Sequence, residues 1–274
     1  MRVLCLGGGG LRAAFEVPIL EALISAHDYD LIMGISAGAV NGVFAAQGTV
    51  EGIRTTWENA TVRRAISSVP GALALSRRPW QNVYSLGPLH ERLEERISLD
   101  RLEADFACGV VVRDTRQYRA LAARDMTDDD QLCTAIVASS SIAGLMPPVS
   151  FTVGDAEVAL YDGGHRHCVP PIPAAVMPRV EHVDVVACVP VAPSEHHDER
   201  QGLVHAMLWA FENYAEICWQ LDLDNLRTVR RDRGIPIRVY APRRPLGSMF
   251  DGRAAAMQAR LEQGEAALDQ PLEL

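Results

Sequence analysis

The pentapeptide Gly-Ile-Ser-Ala-Gly between Gly34 and Gly38 constrains this chain more than any other feature. An apolar run at residues 29–35 predicts a buried strand before the serine, and small residues at 37–47 predict a helix after it. The two glycines permit the sharp strand-to-helix turn on which Ser36 would sit, at the positive end of a helix dipole. The pattern predicts a nucleophile elbow in an α/β fold. A glycine-rich turn with an inert serine is the alternative.

A second glycine-rich segment, residues 7–10, directly follows the first apolar run of the chain at residues 3–6. A dinucleotide loop of the GxGxxG type would need its last glycine where Arg12 or Ala13 stands, so neither register completes that motif. Consecutive glycines also allow backbone N–H groups to converge on an anion, as in an oxyanion hole. We favour the oxyanion hole, built from the amides of Gly8, Gly9 and Gly10.

The third motif is Asp162-Gly163-Gly164, at the end of a predicted strand over residues 158–161. A carboxylate at a strand end, with glycines that allow a close approach, is suited to act as a general base for a serine. Asp-Gly is also a common turn dipeptide, and on its own the turn interpretation would prevail.

In this order, the three motifs resemble those of the patatin-like phospholipase family. Residues 138–149, Ala-Ser-Ser-Ser-Ile-Ala-Gly-Leu-Met-Pro-Pro-Val, resemble the small-residue segment that this family carries before its aspartate strand. Arg166 and Pro170 stand where the family often has Arg and Pro. The resemblance extends over residues 3–189, which is most of the chain.

The resemblance implies a single domain over residues 1–274, with a three-layer α/β/α fold around a mostly parallel sheet. It implies a lipid acyl hydrolase, a phospholipase A or carboxylesterase, in which Ser36 is the nucleophile and Asp162 the base of a catalytic dyad. The glycine loop would form the oxyanion hole, with Arg12 supporting the loop or its anion. The substrate would be a lipid or another ester, and no metal or organic cofactor would be required.

Two departures from the family pattern affect the glycine loop. The family usually has a glycine after the basic residue, where this chain has Ala13. A Gly-Val-Leu-like segment one turn later is replaced by Val-Pro-Ile-Leu at residues 17–20. Pro18 is expected to kink the first helix, predicted over residues 12–26, because proline removes a backbone hydrogen bond.

Two other functions remain open from the sequence. A Ser-His-Asp esterase or thioesterase would need a histidine partner for the serine. The candidates are His165, His167, His182, His196, His197 and His205. The acidic and histidine residues at 195–198 indicate a solvated loop, and less readily a metal site. A non-catalytic lipid-binding protein is the second alternative.

The composition excludes several chemistries. All 26 basic residues are arginine, so the chain has no lysine for a Schiff base or a P-loop. The net charge of −9 argues against nucleic acid binding, although a local patch leaves peripheral membrane contact open. The six cysteines include no CxxC pair, the first apolar run is too short for a signal peptide, and no stretch approaches a membrane span. These features predict a cytoplasmic protein, soluble or peripheral at a membrane.

Two further segments carry hypotheses about substrate access. Residues 65–84 are apolar with proline and glycine breaks, and predict a mobile flap over an acyl pocket. Residues 203–231 predict a long helix whose core face runs from Leu203 to Leu221. Trp209 and Trp219 lie off that face and are candidates to meet a lipid or a partner.

Overall fold

A computed structural model describes residues 1–49, 53–54, 57, 67–68, 84–154, 156–192 and 203–274 of the chain. Nine of its strands form one mixed sheet, in the order β11-β10-β9-β1-β2-β5-β8-β7, with β6 also paired to β5. The strands are β1 Arg2–Leu6, β2 Leu31–Ile35, β3 Ser67–Ser68, β4 Tyr84–Ser85, β5 Asp105–Val112, β6 Tyr118–Ala122, β7 Val149–Val153, β8 Ala156–Asp162, β9 His182–Val186, β10 Ile237–Tyr240 and β11 Leu272–Glu273. β3 and β4 pair separately.

Helices cover both faces of the sheet. They are α1 Glu16–Ala26, α2 Ala37–Ala46, α3 Gly87–Glu94, α4 Asp129–Ser139, α5 Leu203–Arg233 and α6 Ala254–Leu268. Alternate residues of β1 separate the two cores: Leu4 and Leu6 belong to one that includes α1, α2, α4 and α6, whereas Val3 and Cys5 belong to one that includes α5. The five parallel strands at the centre are buried on both faces, as a parallel sheet requires. The predicted three-layer α/β/α fold is confirmed.

Strand β5 has three neighbours on its two edges, and this arrangement positions the candidate site. β6 pairs with residues 107–111 along one edge. β2 runs parallel along the first half of the other edge, and β8 runs antiparallel along the second half. Ile35 therefore lies opposite Gly109, and Asp162 opposite Val110. Because β2 and β8 run toward each other on one edge, their carboxyl ends meet.

The strands and helices predicted above are present with boundaries that differ by a few residues, and the first helix begins differently from its prediction. A 3-10 helix, Gly10–Phe15, precedes α1, so Pro18 falls in the first turn of the α-helix. Proline is tolerated there because the first N–H groups of a helix have no partner within it. Pro18 packs in the core against Gly264.

The core face predicted for α5 is wrong in part. Tyr214 and Leu221, assigned to the core, are 40% and 61% exposed. Cys218 is buried as predicted. Trp219, predicted to lie off the core face, is buried too, and its indole donates a hydrogen bond to the carbonyl of Pro190. An apolar stripe on each side of a long helix gives two periodic patterns, and periodicity alone does not choose between them.

Two segments with predicted features at the periphery of the fold lie mostly or wholly outside the described part of the chain. Most of the predicted flap, residues 65–84, and the loop at 195–198 lie outside the described residues. Within the described part of the chain, the helices lack the combination of length and apolarity that crossing a bilayer requires.

Candidate active site

Ser36 occupies a strained turn between β2 and α2. Its backbone angles are φ 56° and ψ −127°, a region that residues with a side chain rarely adopt. The turn brings backbones into contact: a side chain on Gly34 would meet the Cα of Ala39 at 2.5 Å, and one on Gly38 would meet the carbonyl of Gly7 at 2.5 Å. Both glycines of the pentapeptide are therefore sterically required, and the predicted elbow geometry is present.

Asp162 ends β8 and is almost completely buried, with 1% of its surface exposed. Its carboxylate accepts a hydrogen bond from the amide of Gly164 at 2.7 Å, and the hydroxyl of Ser36 lies beside it in the same pocket. Burial raises the pKa of Asp162 to about 7, and the interactions with Gly164 and Ser36 oppose that rise. The glycines that follow have no room for a side chain, which on Gly163 would meet the carbonyl of Gly109 at 2.5 Å.

Two serines that sequence reasoning left without a role support this pair. The hydroxyl of Ser139 accepts the Ser36 amide at 3.0 Å and donates to the carbonyl of Gly109 at 2.7 Å. The carbonyl of Ser141 accepts the amide of Asp162 at 2.8 Å. Both serines are fully buried, at the end of an apolar helix. Buried polar residues in an apolar pattern are the signal that could have singled them out.

The glycine loop lies against Ser36, but one predicted amide is committed elsewhere. A side chain on Gly8 would begin 3.3 Å from the Cβ of Ser36. The amide of Gly8 donates to the carbonyl of Cys168 at 2.9 Å, which removes it from the predicted oxyanion hole. The amides of Gly9 and Gly10 donate to no acceptor among the described residues. The candidate oxyanion donors are therefore two amides instead of three.

Arg12 supports the loop through contacts with the rest of the fold. Its guanidinium forms an ion pair with Glu212 of α5 at 2.8 Å and donates to the carbonyl of Gly247 at 2.6 Å. The same distant segment also holds the neighbouring residue, because the amide of Leu11 donates to the carbonyl of Met249 at 2.9 Å. Of the two roles predicted for Arg12, support of the loop is the one that these contacts describe.

A second arginine, Arg260 on α6, fixes the segment packed over this loop. Its guanidinium is buried and donates to the carbonyl of Leu11 at 3.0 Å. It also donates to the carbonyls of Leu246, Ser248 and Asp251 at 3.0, 2.8 and 2.7 Å. Burial lowers the pKa of Arg260. One side chain thus ties the loop to a stretch of chain more than two hundred residues away.

These residues surround a pocket of about 430 Å³, measured with its open mouth. The residues that line it are Gly8, Gly9, Arg12, Ser36, Asp162, Gly164, Cys168, Val189, Glu212, Ala215 and Met249. Apart from the Arg12–Glu212 pair and the two residues of the Ser–Asp pair, the lining side chains are apolar or absent. The pocket can therefore present a hydroxyl, a carboxylate and backbone amides to an apolar ligand that carries one polar group.

The profile of the patatin-like phospholipase family matches residues 4–176 of the chain, which includes the elbow, the glycine loop and Asp162. The chain belongs to this family. The resemblance stated from the sequence is confirmed, and membership supports lipid acyl hydrolase activity. No curated protein sequence matches the chain.

Two solved structures resemble the chain distantly. VipD from Legionella pneumophila is 13% identical, with a TM-score of 0.46, and the match covers 100% of this chain and 67% of VipD. The type III effector protein ExoU is 14% identical, with a TM-score of 0.41, and the match covers 100% of this chain and 54% of ExoU. This patatin-like chain therefore corresponds to only a part of each of these proteins.

The histidines proposed as triad partners take other contacts. Among the described residues, the pocket of this patatin-like phospholipase contains no histidine. The Nε2 of His165 accepts the amide of Ala143 at 2.9 Å, and burial lowers the pKa of this histidine. His167 lies beside Asp222, and His182 beside Asp184. His196 and His197 lie outside the described residues, as does the side chain of His205.

One group of side chains in the described part of the chain has the composition of a metal site. His90, Glu94 and Asp130 approach one another outside the pocket. Nδ1 of the His90 ring lies 3.6 Å from Glu94, and Nε2 lies 3.6 Å from Asp130. One ligand atom from each residue lies within 4.8 Å of the others, but both carboxylates are exposed, and exposed acidic groups of this kind are common without an ion. We interpret the group as surface ion pairs.

Proposed function

We propose that this protein is a lipid acyl hydrolase that cleaves fatty acyl esters through a dyad of Ser36 and Asp162. The observation that carries the proposal is that Ser36, on its strained turn, and the buried carboxylate of Asp162 line one pocket at the point where β2 and β8 meet. A hydroxyl on an elbow, hydrogen-bonded to a base, is the arrangement that activates a serine nucleophile.

In the proposed reaction, the oxygen of Ser36 attacks the ester carbonyl while Asp162 takes the hydroxyl proton. Collapse of the tetrahedral intermediate breaks the acyl–oxygen bond, and the proton on Asp162 passes to the leaving alcohol. Water, deprotonated by the same carboxylate, then attacks the acyl-enzyme and releases the fatty acid. Ser36 and Asp162 line one pocket whose described lining contains no histidine, which supports a mechanism without one.

The amides of Gly9 and Gly10 are the proposed donors to the oxyanion. Both lack an acceptor among the described residues, and Gly9 lines the same pocket as Ser36. Unpaired backbone N–H groups next to a nucleophile are suited to stabilise developing negative charge, and losing one such donor typically costs about 3 kcal/mol of transition-state stabilisation.

Contact with a lipid surface is part of the proposal. Among the described side chains of α5, the large exposed apolar ones are Trp209, Tyr214, Ile217 and Leu221. Glu212 and Ala215 of the same helix line the pocket, so α5 contributes to both surfaces. A cytoplasmic location, peripheral at a membrane, is also proposed. It is supported by six cysteines that all carry free thiols in the structure.

The test is hydrolysis of p-nitrophenyl esters of increasing chain length, alongside labelled phospholipids, with Ser36→Ala as the blank. We expect hydrolysis by the wild-type protein, none by Ser36→Ala, and labelling of Ser36 by a fluorophosphonate probe. Substitution of His165, His167 or His182 should leave a catalytically competent enzyme. An essential histidine would instead favour a triad esterase, and absence of labelling would favour a non-catalytic lipid-binding protein.

A further inference from the structure

Asp222 lies on α5, beyond the part of the chain that the family profile matches, and its carboxylate is buried and fully hydrogen-bonded. One oxygen lies 2.7 Å from Nδ1 of His167. The other accepts the amide of Cys168 at 2.6 Å and that of Val169 at 3.2 Å. A carboxylate only accepts hydrogen bonds, so His167 presents its Nδ1–H to it. Three donors on consecutive residues thus converge on one buried charge.

The segment held in this way touches the glycine loop. The carbonyl of Cys168 accepts the amide of Gly8, and it lies 3.2 Å from where a side chain on Gly7 would begin. Gly8 in turn lies against Ser36. A continuous path of hydrogen bonds therefore runs from Asp222 through both polar groups of Cys168 to the loop beside the nucleophile.

We propose that Asp222 is a positioning residue of the active site. It fixes the peptide of Cys168, which fixes the amide of Gly8, and this keeps the unpaired amides of Gly9 and Gly10 in place for the oxyanion. Charge-assisted bonds to backbone amides are among the stronger hydrogen bonds in proteins, which suits a carboxylate to this task. The inference rests on the proposed function, because it concerns the donors which that reaction uses.

Three variants separate positioning from simple packing. Asp222→Ala removes the acceptor for all three donors. Asp222→Asn is the conservative variant: its oxygen can still accept the backbone amides, and its NH₂ group can face His167 in the other ring tautomer. Asp224→Ala is the matched control, two residues along the same helix, where an exposed carboxylate pairs with Arg227 at 2.9 Å.

Two measurements on each purified variant test the proposal. The first is kcat and KM with a short-chain p-nitrophenyl ester. We expect Asp222→Ala to lower kcat by about 10- to 100-fold, less than outright loss of an oxyanion donor would, with KM changed by less than about 3-fold. Asp222→Asn should restore most of kcat, and Asp224→Ala should match the wild type. A folded Asp222→Ala variant that retains kcat within about 2-fold, or that changes KM alone, would overturn the proposal.

The second measurement is amide hydrogen exchange of residues 7–12, which does not depend on activity. We expect faster exchange of the glycine loop in Asp222→Ala than in the wild type, and no change in Asp224→Ala. If Asp222→Ala does not fold, the Asp222→Asn variant must show a smaller change in the same direction, and unchanged exchange there overturns the proposal. If the wild-type protein hydrolyses no ester, the proposed function fails, and the exchange data alone then decide whether Asp222 positions the loop.

Discussion

At the scale of single residues, the site depends on a carboxyl group whose burial places its pKa in the neutral range. Asp162 is removed from water at the end of β8, and only the Gly164 amide and the Ser36 hydroxyl compensate its charge. A group with this pKa can both take and return a proton near pH 7, which the two halves of the proposed reaction require.

We expect kcat/KM for a soluble ester to rise with pH through about 7 and then level off, following the pKa of Asp162. The proposed base works only when ionised, so activity is lost as the carboxyl becomes protonated at lower pH. The rate measured from pH 5 to 9 with Ser36→Ala as the blank tests this. A flat profile across that range, in the wild-type protein, would argue against Asp162 as the base.

A second buried carboxyl group, that of Glu16, makes the stability of the folded protein fall as the pH rises. Burial raises the pKa of Glu16 to about 8, whereas hydrogen bonds from Asn41 and Cys188 oppose the rise. In the unfolded chain it ionises near its ordinary value of 4.5. Between these values the unfolded state gains an ionisation that the folded state lacks, so stability falls as the pH rises.

Replacing Glu16 with glutamine removes the ionisation and retains an acceptor for the Asn41 amide, which donates to Glu16 at 2.8 Å. We expect Glu16→Gln to raise the melting temperature relative to the wild type at pH 9, and to leave it nearly unchanged at pH 4. Thermal unfolding followed by circular dichroism at both pH values gives the comparison. An equal shift at pH 4 and pH 9 would mean that the carboxyl does not titrate as described.

At the scale of elements, the elbow works because three stretches of backbone approach more closely than side chains allow. The end of β1, the turn after β2 and the start of α2 meet at Gly38, where a Cβ atom would lie 2.5 Å from the carbonyl of Gly7 and 2.7 Å from that of Leu6. Both contacts are with backbone, which cannot move aside as a flexible side chain can.

We expect Gly38→Ala to abolish measurable ester hydrolysis and to lower the melting temperature, because the new methyl group must displace the glycine loop or the elbow. Gly87→Ala is the control, since its nearest neighbour would be the Ser85 hydroxyl at an ordinary 3.5 Å. Activity and thermal unfolding of both variants decide the point. A Gly38→Ala protein with wild-type kcat would show that the close approach is not needed.

At the scale of the whole molecule, one helix, α5, contributes both to the lining of the pocket and to the exposed apolar surface. Trp209 and Ile217 are more than half exposed, while Ala215, between them in sequence, lines the pocket. Exposed large apolar side chains beside a pocket are characteristic of a surface that meets an apolar partner. This is the physical basis for proposing that the enzyme works at a lipid surface.

We expect the double variant Ile217→Ser/Leu221→Ser to lose binding to phosphatidylcholine vesicles and activity on vesicle substrates. Hydrolysis of a soluble short-chain ester should stay close to the wild-type rate, because neither residue lines the pocket. Vesicle co-sedimentation and the two activity assays measure the separation, with Thr228→Ala on the same helix as control. Equal loss on soluble and vesicle substrates would contradict a docking role for these two residues.

How much the sequence predicts differs between local and long-range features. The elbow, the glycine loop and the Asp-Gly-Gly turn were identified because each places several constrained residues next to one another. The roles of Ser139 and Asp222 were missed, since each is one polar residue whose partners lie 30 or more positions away. The commitment of the Gly8 amide was missed for the same reason. Pairing across a sheet decides such contacts, and a single sequence does not contain the order of the strands.

The carboxyl ends of β2 and β8 meet along one edge of β5, and this arrangement affects which changes in the chain the site can tolerate. Strand β5 pairs with both β2 and β8. The spacing of Ser36 and Asp162 is therefore set by two neighbouring residue pairs, Ile35 with Gly109 and Asp162 with Val110. The loops that connect these strands can be lengthened or rebuilt without resetting that spacing. Opening of this ladder would separate the hydroxyl from the carboxylate, so the proposed activity depends on pairing within the central sheet.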